Sequence, residues 1–259
     1  PTRRGSNLAS LRFGGNEGGS LLSIEYPDSE DLEILPNSQI ESAVITQLFP
    51  NSQNIASTQA SKAAVTKALT QNYSILHFTG HAAYNFQRPQ NSALFLSGKD
   101  KLTLDDIRHI PLKNYQLITL ASCETALTGN QTIDNDYVGL VSAFLYQKVR
   151  CVVSTLWTVQ DNASSLFMMH FYWQLKKGKP PVLALTKTRK WLRNLSDYKL
   201  ERIYKLIFAK LPKNETTLRP FLRNELNRIK EMNLSQKKQK KFNHPYYWAA
   251  FTITSSLMQ

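Results

Sequence analysis

Short apolar runs alternate with stretches of helical periodicity along most of this chain. The three strongest runs are SILHFT (residues 74–79), YQLITLA (115–121) and CVVSTL (151–156), and such runs are typical of strands buried on both faces. Strands of that kind lie in parallel sheets, where helices cover both faces and form the crossovers between strands. The alternation therefore predicts an α/β fold: a three-layer sandwich with a mainly parallel sheet and helices on both faces.

The remaining elements continue the same pattern and indicate one domain. Further strands are predicted at residues 21–26, 93–96 and 248–254, and helices at 38–49, 58–69, 104–109, 137–149, 163–175 and 182–195. The glycine-rich start of the chain, with Gly14, Gly15, Gly18 and Gly19, predicts a flexible lead-in over residues 1–20, followed by a single domain over residues 21–259.

Most of the positive charge lies in one stretch. The chain has 32 Lys and Arg against 19 Asp and Glu, and residues 187–241 hold 17 of the basic residues but only 5 of the acidic ones. Apolar residues recur there at helical spacing, as in Leu200, Tyr204 and Leu211, which favours amphipathic helices with a solvated basic face. The alternative is a surface that binds nucleic acid or an acidic partner. Residues 235–241 (SQKKQKK) are predicted to be an unstructured loop, and without interleaved aromatic residues they do not favour nucleic acid as a partner.

Composition also bears on location. No apolar run approaches the roughly 20 residues that cross a bilayer, and the first 30 residues lack the order of a signal peptide, so we expect neither feature. Two cysteines, Cys123 and Cys151, are too few for a disulfide framework, which favours a reducing, cytoplasmic location. Because the sequence begins at Pro1 without Met, it suggests a piece of a longer protein.

A histidine and a cysteine come at the ends of two predicted buried strands. His81 follows the first strand through a hinge predicted at Gly80, and Cys123 comes two residues after the second strand. The carboxyl ends of parallel strands meet at one edge of a sheet, so neighbouring strands would bring the thiol within hydrogen-bonding reach of the imidazole. Such a pair is a cysteine nucleophile with a histidine base, whose usual substrate is an acyl group, most often a peptide bond.

Acyl transfer also requires an oxyanion hole. The backbone N–H groups of Cys123 and of Ala82, beside the base, are the candidates to supply it. The spacing alone leaves a second interpretation open, in which Cys123 is a buried core cysteine. His77, inside its strand, and Cys151, at the start of an apolar strand, are interpreted as core residues without a chemical role.

Cofactors and metals are not expected. No glycine-rich phosphate loop follows a strand in the required order, and the other histidines, His109, His170 and His244, have no ligand spacing with either cysteine.

Five segments of the chain resemble, in order, the motifs of the CHAT domain (caspase-HetF-associated-with-TPRs), a branch of the caspase-like cysteine peptidases. The segments are LHFTGHA (76–82), ITLASCETALTG (118–129), DYVGLVSAFLYQKVRCVVSTLWTVQD (136–161), FYWQLKKG (171–178) and HPYYWAAF (244–251). The resemblance covers roughly residues 21–259.

The resemblance implies a caspase-like fold and a cysteine endopeptidase in which His81 is the base and Cys123 the nucleophile. It also implies a protein substrate, regulatory proteolysis and tetratricopeptide repeats upstream in the full-length protein. The family takes part of its name from a heterocyst-differentiation protein of filamentous cyanobacteria, so a role of that kind is among the expectations. Relative to the compact family pattern, residues 196–243 are a basic helical insertion.

The chain departs from the family pattern next to the base. Where the family often has Gly after the catalytic His, this chain has Ala82, which resists the positive φ angles that Gly accepts. A second hypothesis therefore stays open: a caspase-like module that has lost turnover and binds a protein partner or nucleic acid through its basic insertion.

The loop at residues 128–137 is the predicted wall of the substrate pocket. It contains Asp134 and Asp136, and a carboxylate there would favour Arg or Lys in the substrate through a charge-assisted hydrogen bond. Alternatively, one of these aspartates caps the helix predicted to begin at Tyr137.

Overall fold

A mixed sheet of eight strands forms the middle layer. This computed structural model describes residues 19–25, 28, 32, 35–83, 85, 87–124 and 138–255, with the backbone alone at 122–124 and 138. The strands are β1 (Leu21–Glu25), β2 (Ser52–Ala56), β3 (Ile75–Ala83), β4 (Ala93–Phe95), β5 (Lys101–Thr103), β6 (Leu117–Glu124), β7 (Cys151–Thr155) and β8 (Phe251–Ser255). Their order is β2-β1-β3-β6-β7-β8, parallel from β2 to β7 and antiparallel at β8, while β4 and β5 form an antiparallel extension of β3.

Helices cover both faces of this sheet. They are α1 (Pro36–Leu48), α2 (Lys62–Leu69), α3 (Leu104–His109), α4 (Val138–Tyr146), α5 (Asp161–Lys176), α6 (Pro181–Arg193), α7 (Asp197–Lys210), α8 (Leu218–Glu231) and α9 (Leu234–Lys238), with short 3-10 turns at Ser57–Gln59, Pro89–Asn91 and Pro245–Tyr247. The predicted three-layer sandwich with a mainly parallel sheet is confirmed.

The alternation of side chains along each strand divides the interior into two cores. Ile75 and Leu117 face α1, α5 and α6 in what is here called the first core. The next residue of each strand, Leu76 and Ile118, faces α2, α3 and α4 in the second core. Because successive residues of a strand point to opposite faces, an apolar run of consecutive residues supplies both cores at once. This explains why the strongest apolar runs became the central strands.

A Schellman motif ends α5, the long helix of the first core. Gly178 adopts a φ of +72°, its N–H donates to the Leu175 carbonyl at 2.8 Å, and the Lys179 N–H donates to the Gln174 carbonyl at 3.1 Å. Glycine accepts this left-handed conformation at little cost, and Pro181 then opens α6 at a position where no N–H is needed.

The basic stretch forms the amphipathic helices that its periodicity predicted. Leu200 and Tyr204 of α7 are buried together with Leu222 and Ile229 of α8 in the first core. The Arg228 guanidinium lies 3.4 Å from Asp197 and 3.1 Å from Glu225, and therefore joins the two helices.

The predicted loop at residues 235–241 is wrong in part, because α9 occupies Leu234–Lys238. A capping box explains the helix: the Asn233 side chain accepts from the Gln236 N–H at 2.9 Å, and the Gln236 side chain accepts from the Asn233 N–H at 2.9 Å. Reciprocal capping satisfies N–H groups that a helix start otherwise leaves unpaired.

The two central strands are longer than predicted. β3 continues through Gly80, which pairs in register with Ser122 of β6, so the hinge predicted at Gly80 is wrong. The edge strand β2 was not predicted, because its sequence SQNIA lacks apolar alternation. It is held by main-chain pairing with β1 over five residue pairs.

None of the helices in the described ranges is both long enough and apolar enough to cross a bilayer.

The packing of α5 on β8 gives a first prediction. Phe167 and Phe251 are fully buried and stack with ring centroids 3.6 Å apart. Phe167→Ala should lower the free energy of unfolding by about 3–5 kcal/mol, because it leaves a cavity where an aromatic ring was packed. Urea denaturation measures the change. The control is Leu183→Ala, at a residue 42% exposed, which should cost much less; equal losses would contradict the packing argument.

Candidate active site

The central strands β3 and β6 run parallel and in register over eight residue pairs, from Ile75 with Leu117 to Ala82 with Glu124. One of these pairs is His81 with Cys123. Registered residues of parallel strands share one face of the sheet, and neighbouring strands lie about 4.8 Å apart. The structure therefore brings together the backbones of the two residues predicted to form the dyad, at a separation that a thiol and an imidazole can bridge.

This pair lies at the carboxyl edge of the sheet. β1 ends at Glu25, in register with Thr79, so His81 extends two residues beyond the end of that neighbour. The direction in which strands are added to the sheet also reverses between β1 and β3. β2 lies on one side of β1, whereas β3, the next strand in the chain, lies on the other side. In open α/β sheets, ligands bind outside the carboxyl ends of the strands at such a reversal.

Both residues differ from the prediction in their local setting. His81 and Cys123 were expected just after their strands, but they belong to the last residues of β3 and β6. Their positions are therefore set by ladder pairing rather than by loop conformation. His81 is 2% exposed.

The neighbouring Ala82 continues β3 and has two registered partners, Leu94 of β4 and Glu124 of β6. The described non-glycine residues with positive φ are Ser57 and Lys148, so Ala82 does not adopt the conformation that would require glycine. The departure from the family pattern consequently imposes no backbone strain here. The oxyanion role of the Ala82 and Cys123 N–H groups stays a prediction.

The predicted pocket residues Asp134 and Asp136 lie outside the described residues, as does the rest of the stretch 125–137. Their role in binding a basic substrate residue and the alternative of a helix cap both stay predictions.

A chain of buried polar side chains lies on the same face as His81, four residues earlier on each strand. His77 Nδ1 is 2.7 Å from the Thr119 hydroxyl, which is 2.6 Å from the Tyr172 hydroxyl of α5. On the other side, His77 Nε2 is 3.0 Å from Glu41 Oε1 of α1. Glu41, His77, Thr119 and Tyr172, here called the polar rung, therefore connect α1, β3, β6 and α5.

Burial determines the protonation of the polar rung. It raises the pKa of Glu41 well above its usual range, and the nearby carboxylates of Asp161 and Glu25 raise that pKa further. It lowers the pKa of His77 to about 3, against the opposing attraction of Glu25. The 3.0 Å contact therefore joins a protonated carboxyl group and a neutral imidazole rather than two charged groups. The hydrogen bond between His77 and Thr119 runs through Nδ1.

A second polar group extends the rung toward the sheet edge. Ser23 of β1 is in register with His77, and its hydroxyl lies 2.9 Å from that of Ser42 on α1. The Ser42 hydroxyl in turn donates to Asn54 of β2 at 3.2 Å. Asn54 donates to Glu25 at 2.5 Å, and burial raises the pKa of that carboxyl group.

Sequence reasoning placed His77 in the core but missed its partners. Thr119 follows His77 by the same 42 positions that separate Cys123 from His81, and this shared offset was a readable signal. Glu41 and Tyr172 had no such signal, because helix packing alone brings them to the strands.

The second cysteine lies in the core, as predicted. Cys151 is buried at the start of β7, and burial raises the pKa of its thiol to about 12. A thiol of that kind yields almost no thiolate at neutral pH.

No group of three His, Cys, Asp or Glu side chains in the described part of the chain is placed to hold a metal ion. His170 stacks on Trp191 at 4.2 Å and contacts Thr188 at 2.9 Å, which is a packing environment. The expectations of no metal and no cofactor stay predictions.

An apolar cavity of about 380 Å³ lies among α1, α5, α6 and α7. Its lining includes Trp173, Trp191 and Ile203 but neither residue of the dyad.

Comparison with known families now adds to this geometry. The family model described as the CHAT domain matches residues 14–256. The chain belongs to the CHAT domain family. Together with the observed sheet, this membership confirms the predicted caspase-like α/β fold class.

Solved structures give a more distant likeness. The crystal structure of the Arg-specific cysteine proteinase gingipain R is 10% identical, with a TM-score of 0.44, and the match covers 97% of this chain and 48% of that one. The complex of the pro- and mature domains of RgpB from Porphyromonas gingivalis is 11% identical, with a TM-score of 0.41 and coverage of 97% and 49%. This CHAT domain chain thus spans about half the length of those proteins. No curated protein matches it.

The polar rung predicts how stability depends on pH. Unfolded His77 takes up a proton near its ordinary pKa of 6.5, whereas the folded chain keeps it neutral down to about 3. Its contribution to stability is therefore complete above pH 6.5 and decreases as the pH falls toward 3, by at most about 1.4 kcal/mol per pH unit. His77→Asn should reduce this slope in urea denaturation between pH 6.5 and 4. An unchanged slope would show that His77 is not buried neutral.

Glu41 should make the stability depend on pH in the opposite direction. Its folded pKa is raised, so stability is complete below about pH 4.5 and decreases as the pH rises, because the unfolded carboxyl group ionises first. Glu41→Gln, which resembles the protonated carboxyl group, should remove that decrease between pH 5 and 8. A larger alkaline loss in the variant would contradict a protonated Glu41.

Proposed function

We propose that this CHAT domain is a caspase-like cysteine endopeptidase that cleaves a protein substrate through a Cys123–His81 dyad. The observation that carries the proposal is the registered pair of His81 and Cys123 at the carboxyl edge of the sheet. Family membership supports it, since the resemblance assigns the base and the nucleophile to the same two positions.

The proposed reaction proceeds through an acyl-enzyme. The His81 imidazole takes the proton of the Cys123 thiol, and the thiolate attacks the scissile carbonyl carbon to form a tetrahedral oxyanion. The C–N bond then breaks as the imidazolium gives its proton to the leaving amine, which leaves a thioester. Water, deprotonated by His81, attacks the thioester, and the carboxyl product leaves as the thiol is restored.

Two backbone N–H groups, of Cys123 and Ala82, are proposed to hold the oxyanion. Rigid donors of this kind stabilise charge that develops in the transition state without having to reorient.

Substrate preference is proposed to come from Asp134 and Asp136. A carboxylate beside the nucleophile would pair with Arg or Lys before the cut. Tetratricopeptide repeats upstream in the full-length protein and a cytoplasmic location belong to the same proposal, and no cofactor or metal is required.

The second hypothesis is a silent module that binds a protein partner or nucleic acid through its basic insertion. The insertion supports it by charge, since residues 196–243 hold 13 basic side chains against 5 acidic ones. Part of that charge is engaged within the insertion, however: Arg228 pairs with Asp197 and Glu225, and Lys205 lies 2.6 Å from Glu201. These pairs favour a structural role for the insertion over nucleic-acid binding.

Cleavage of a peptide library, read by mass spectrometry, tests the peptidase. The wild-type chain should produce cuts after Arg or Lys, and Cys123→Ala and His81→Ala should each remove them, with losses of at least about 10³-fold. Cys151→Ala is the matched control and should retain the cuts. Asp134→Asn and Asp136→Asn should weaken the preference for basic residues. Cuts that persist in Cys123→Ala would overturn the proposal.

Salt dependence tests the nucleic-acid hypothesis separately. If the basic insertion binds nucleic acid, the logarithm of the affinity should fall linearly with the logarithm of salt concentration, because Lys and Arg release counterions from phosphates. We expect no such binding to a single-stranded oligonucleotide in filter or anisotropy assays. A steep salt slope that Lys237→Glu and Lys240→Glu reduce would favour the silent module instead.

A further inference from the structure

The side-chain hydrogen bond between His77 and Thr119 lies on the same two strands and the same face as the proposed dyad. His77 pairs with Thr119, Thr79 with Ala121, and His81 with Cys123, at successive positions of one ladder. Four residues of strand separate the first pair from the last, about 13 Å. The register of the first pair therefore fixes which residues can meet at the last.

A shift in this register would separate the dyad. A slip by one residue would move Cys123 to the opposite face, and a slip by two would move it about 7 Å along the strand. A slip by two residues keeps every side chain on its own face of the sheet, and the slipped strands would form main-chain hydrogen bonds similar to the native ones. Main-chain pairing alone therefore does not select the native register. A further contact between the strands is needed to specify one.

The His77–Thr119 bond provides such a contact. After a slip by two residues, His77 would face Leu117 or Ala121, and its imidazole Nδ1 would be buried without the Thr119 hydroxyl as its hydrogen-bond partner. Such a group bears its full desolvation penalty, which disfavours the slipped register. Both His77 and Thr119 are 0% exposed, so water cannot replace the lost partner.

Two helices hold the bond from either side. The Glu41 contact of 3.0 Å fixes the imidazole from α1, and the Tyr172 contact of 2.6 Å fixes the Thr119 hydroxyl from α5. The rings of His77 and Tyr172 also meet edge to face, with centroids 5.2 Å apart. The strand pair is therefore joined to the helical layer at the same level at which its own register is set.

We propose that Thr119 and His77 are positioning residues for the dyad: their hydrogen bond sets the register and separation of β3 and β6 that bring His81 opposite Cys123. The inference rests on the proposed peptidase function. Neither side chain takes part in the reaction, and both act through the two strands.

The variants isolate the hydroxyl of Thr119. Thr119→Val has nearly the same shape but lacks the hydroxyl, and Thr119→Ser keeps it. Tyr172→Phe removes the next hydroxyl of the rung and provides a second test if Thr119→Val folds poorly. Val153→Ala is the matched control, because Val153 is in register with Thr119 on β7 and is buried but belongs to no polar contact of the rung.

Two readouts are needed. The first is kcat and KM on a peptide found in the library. The second is the rate of Cys123 alkylation by iodoacetamide against pH, which reports the thiol's environment whether or not a peptide is cleaved, and in which the buried Cys151 does not interfere. Thermal unfolding measures how far each variant is destabilised.

Thr119→Val should lower kcat by about 10- to 100-fold with little change in KM, as expected when catalytic groups are displaced by an ångström or less. Its alkylation profile should move toward that of a free thiol. Thr119→Ser should restore kcat to within about threefold, Tyr172→Phe should show a smaller loss, and Val153→Ala should retain the wild-type profile even when its Tm falls as far.

A wild-type alkylation profile and kcat in Thr119→Val would overturn the positioning role, as would equal losses of kcat in Thr119→Val and Val153→Ala at equal Tm. Failure of the peptidase proposal looks different. In that case wild-type Cys123 itself would alkylate like a free thiol and Cys123→Ala would cleave as much as wild type, and both proposals would be rejected together.

Discussion

The parallel ladder between β3 and β6 is the interaction on which the rest of the molecule depends. Its eight registered pairs form the longest pairing described in the sheet, and both cores are assembled on its two faces. The same ladder carries His81 and Cys123 at its carboxyl end. In this CHAT domain, the contact that organises the interior is therefore also the one that assembles the site, so that packing and chemistry depend on one register.

Desolvation accounts for the unusual state of the groups beneath that site. The Glu41 carboxyl group, which would be charged in water at neutral pH, and the His77 imidazole are both neutral here, because burial disfavours either charge. The hydrogen bonds of His77 with Thr119 and of Thr119 with Tyr172 offset part of the cost of burying these polar groups. A network of this kind accepts very few alternative arrangements, and this makes it suited to specifying geometry rather than to adding stability.

The sequence predicted the sandwich well because the apolar runs that bury a strand on both faces leave a pattern that can be read directly. It predicted the neighbourhood of His81 and Cys123 for the same reason, since parallel strands end at a common edge. Features held by main-chain bonds or by packing between distant elements were missed: β2 has no apolar pattern, α9 depends on a capping box, and Glu41 reaches His77 only because α1 packs on the sheet. Local sequence patterns identify helices and strands, whereas the partners of a buried polar group are decided by how those helices and strands pack together.

The two ends of the basic insertion meet at the edge of the sheet. Arg193, at the end of α6, lies 6.0 Å from the Trp248 ring, and Arg189 of the same helix donates a hydrogen bond to the carbonyl of Phe251 in β8. The residues between these contacts pack on the helical layer of one face and return to one place, with β7 and β6 standing between that place and His81 on β3. Because both ends of this segment are held at one place, its exposed loops can lengthen or shorten during evolution while the central ladder keeps its alignment, whereas its buried apolar faces must be kept.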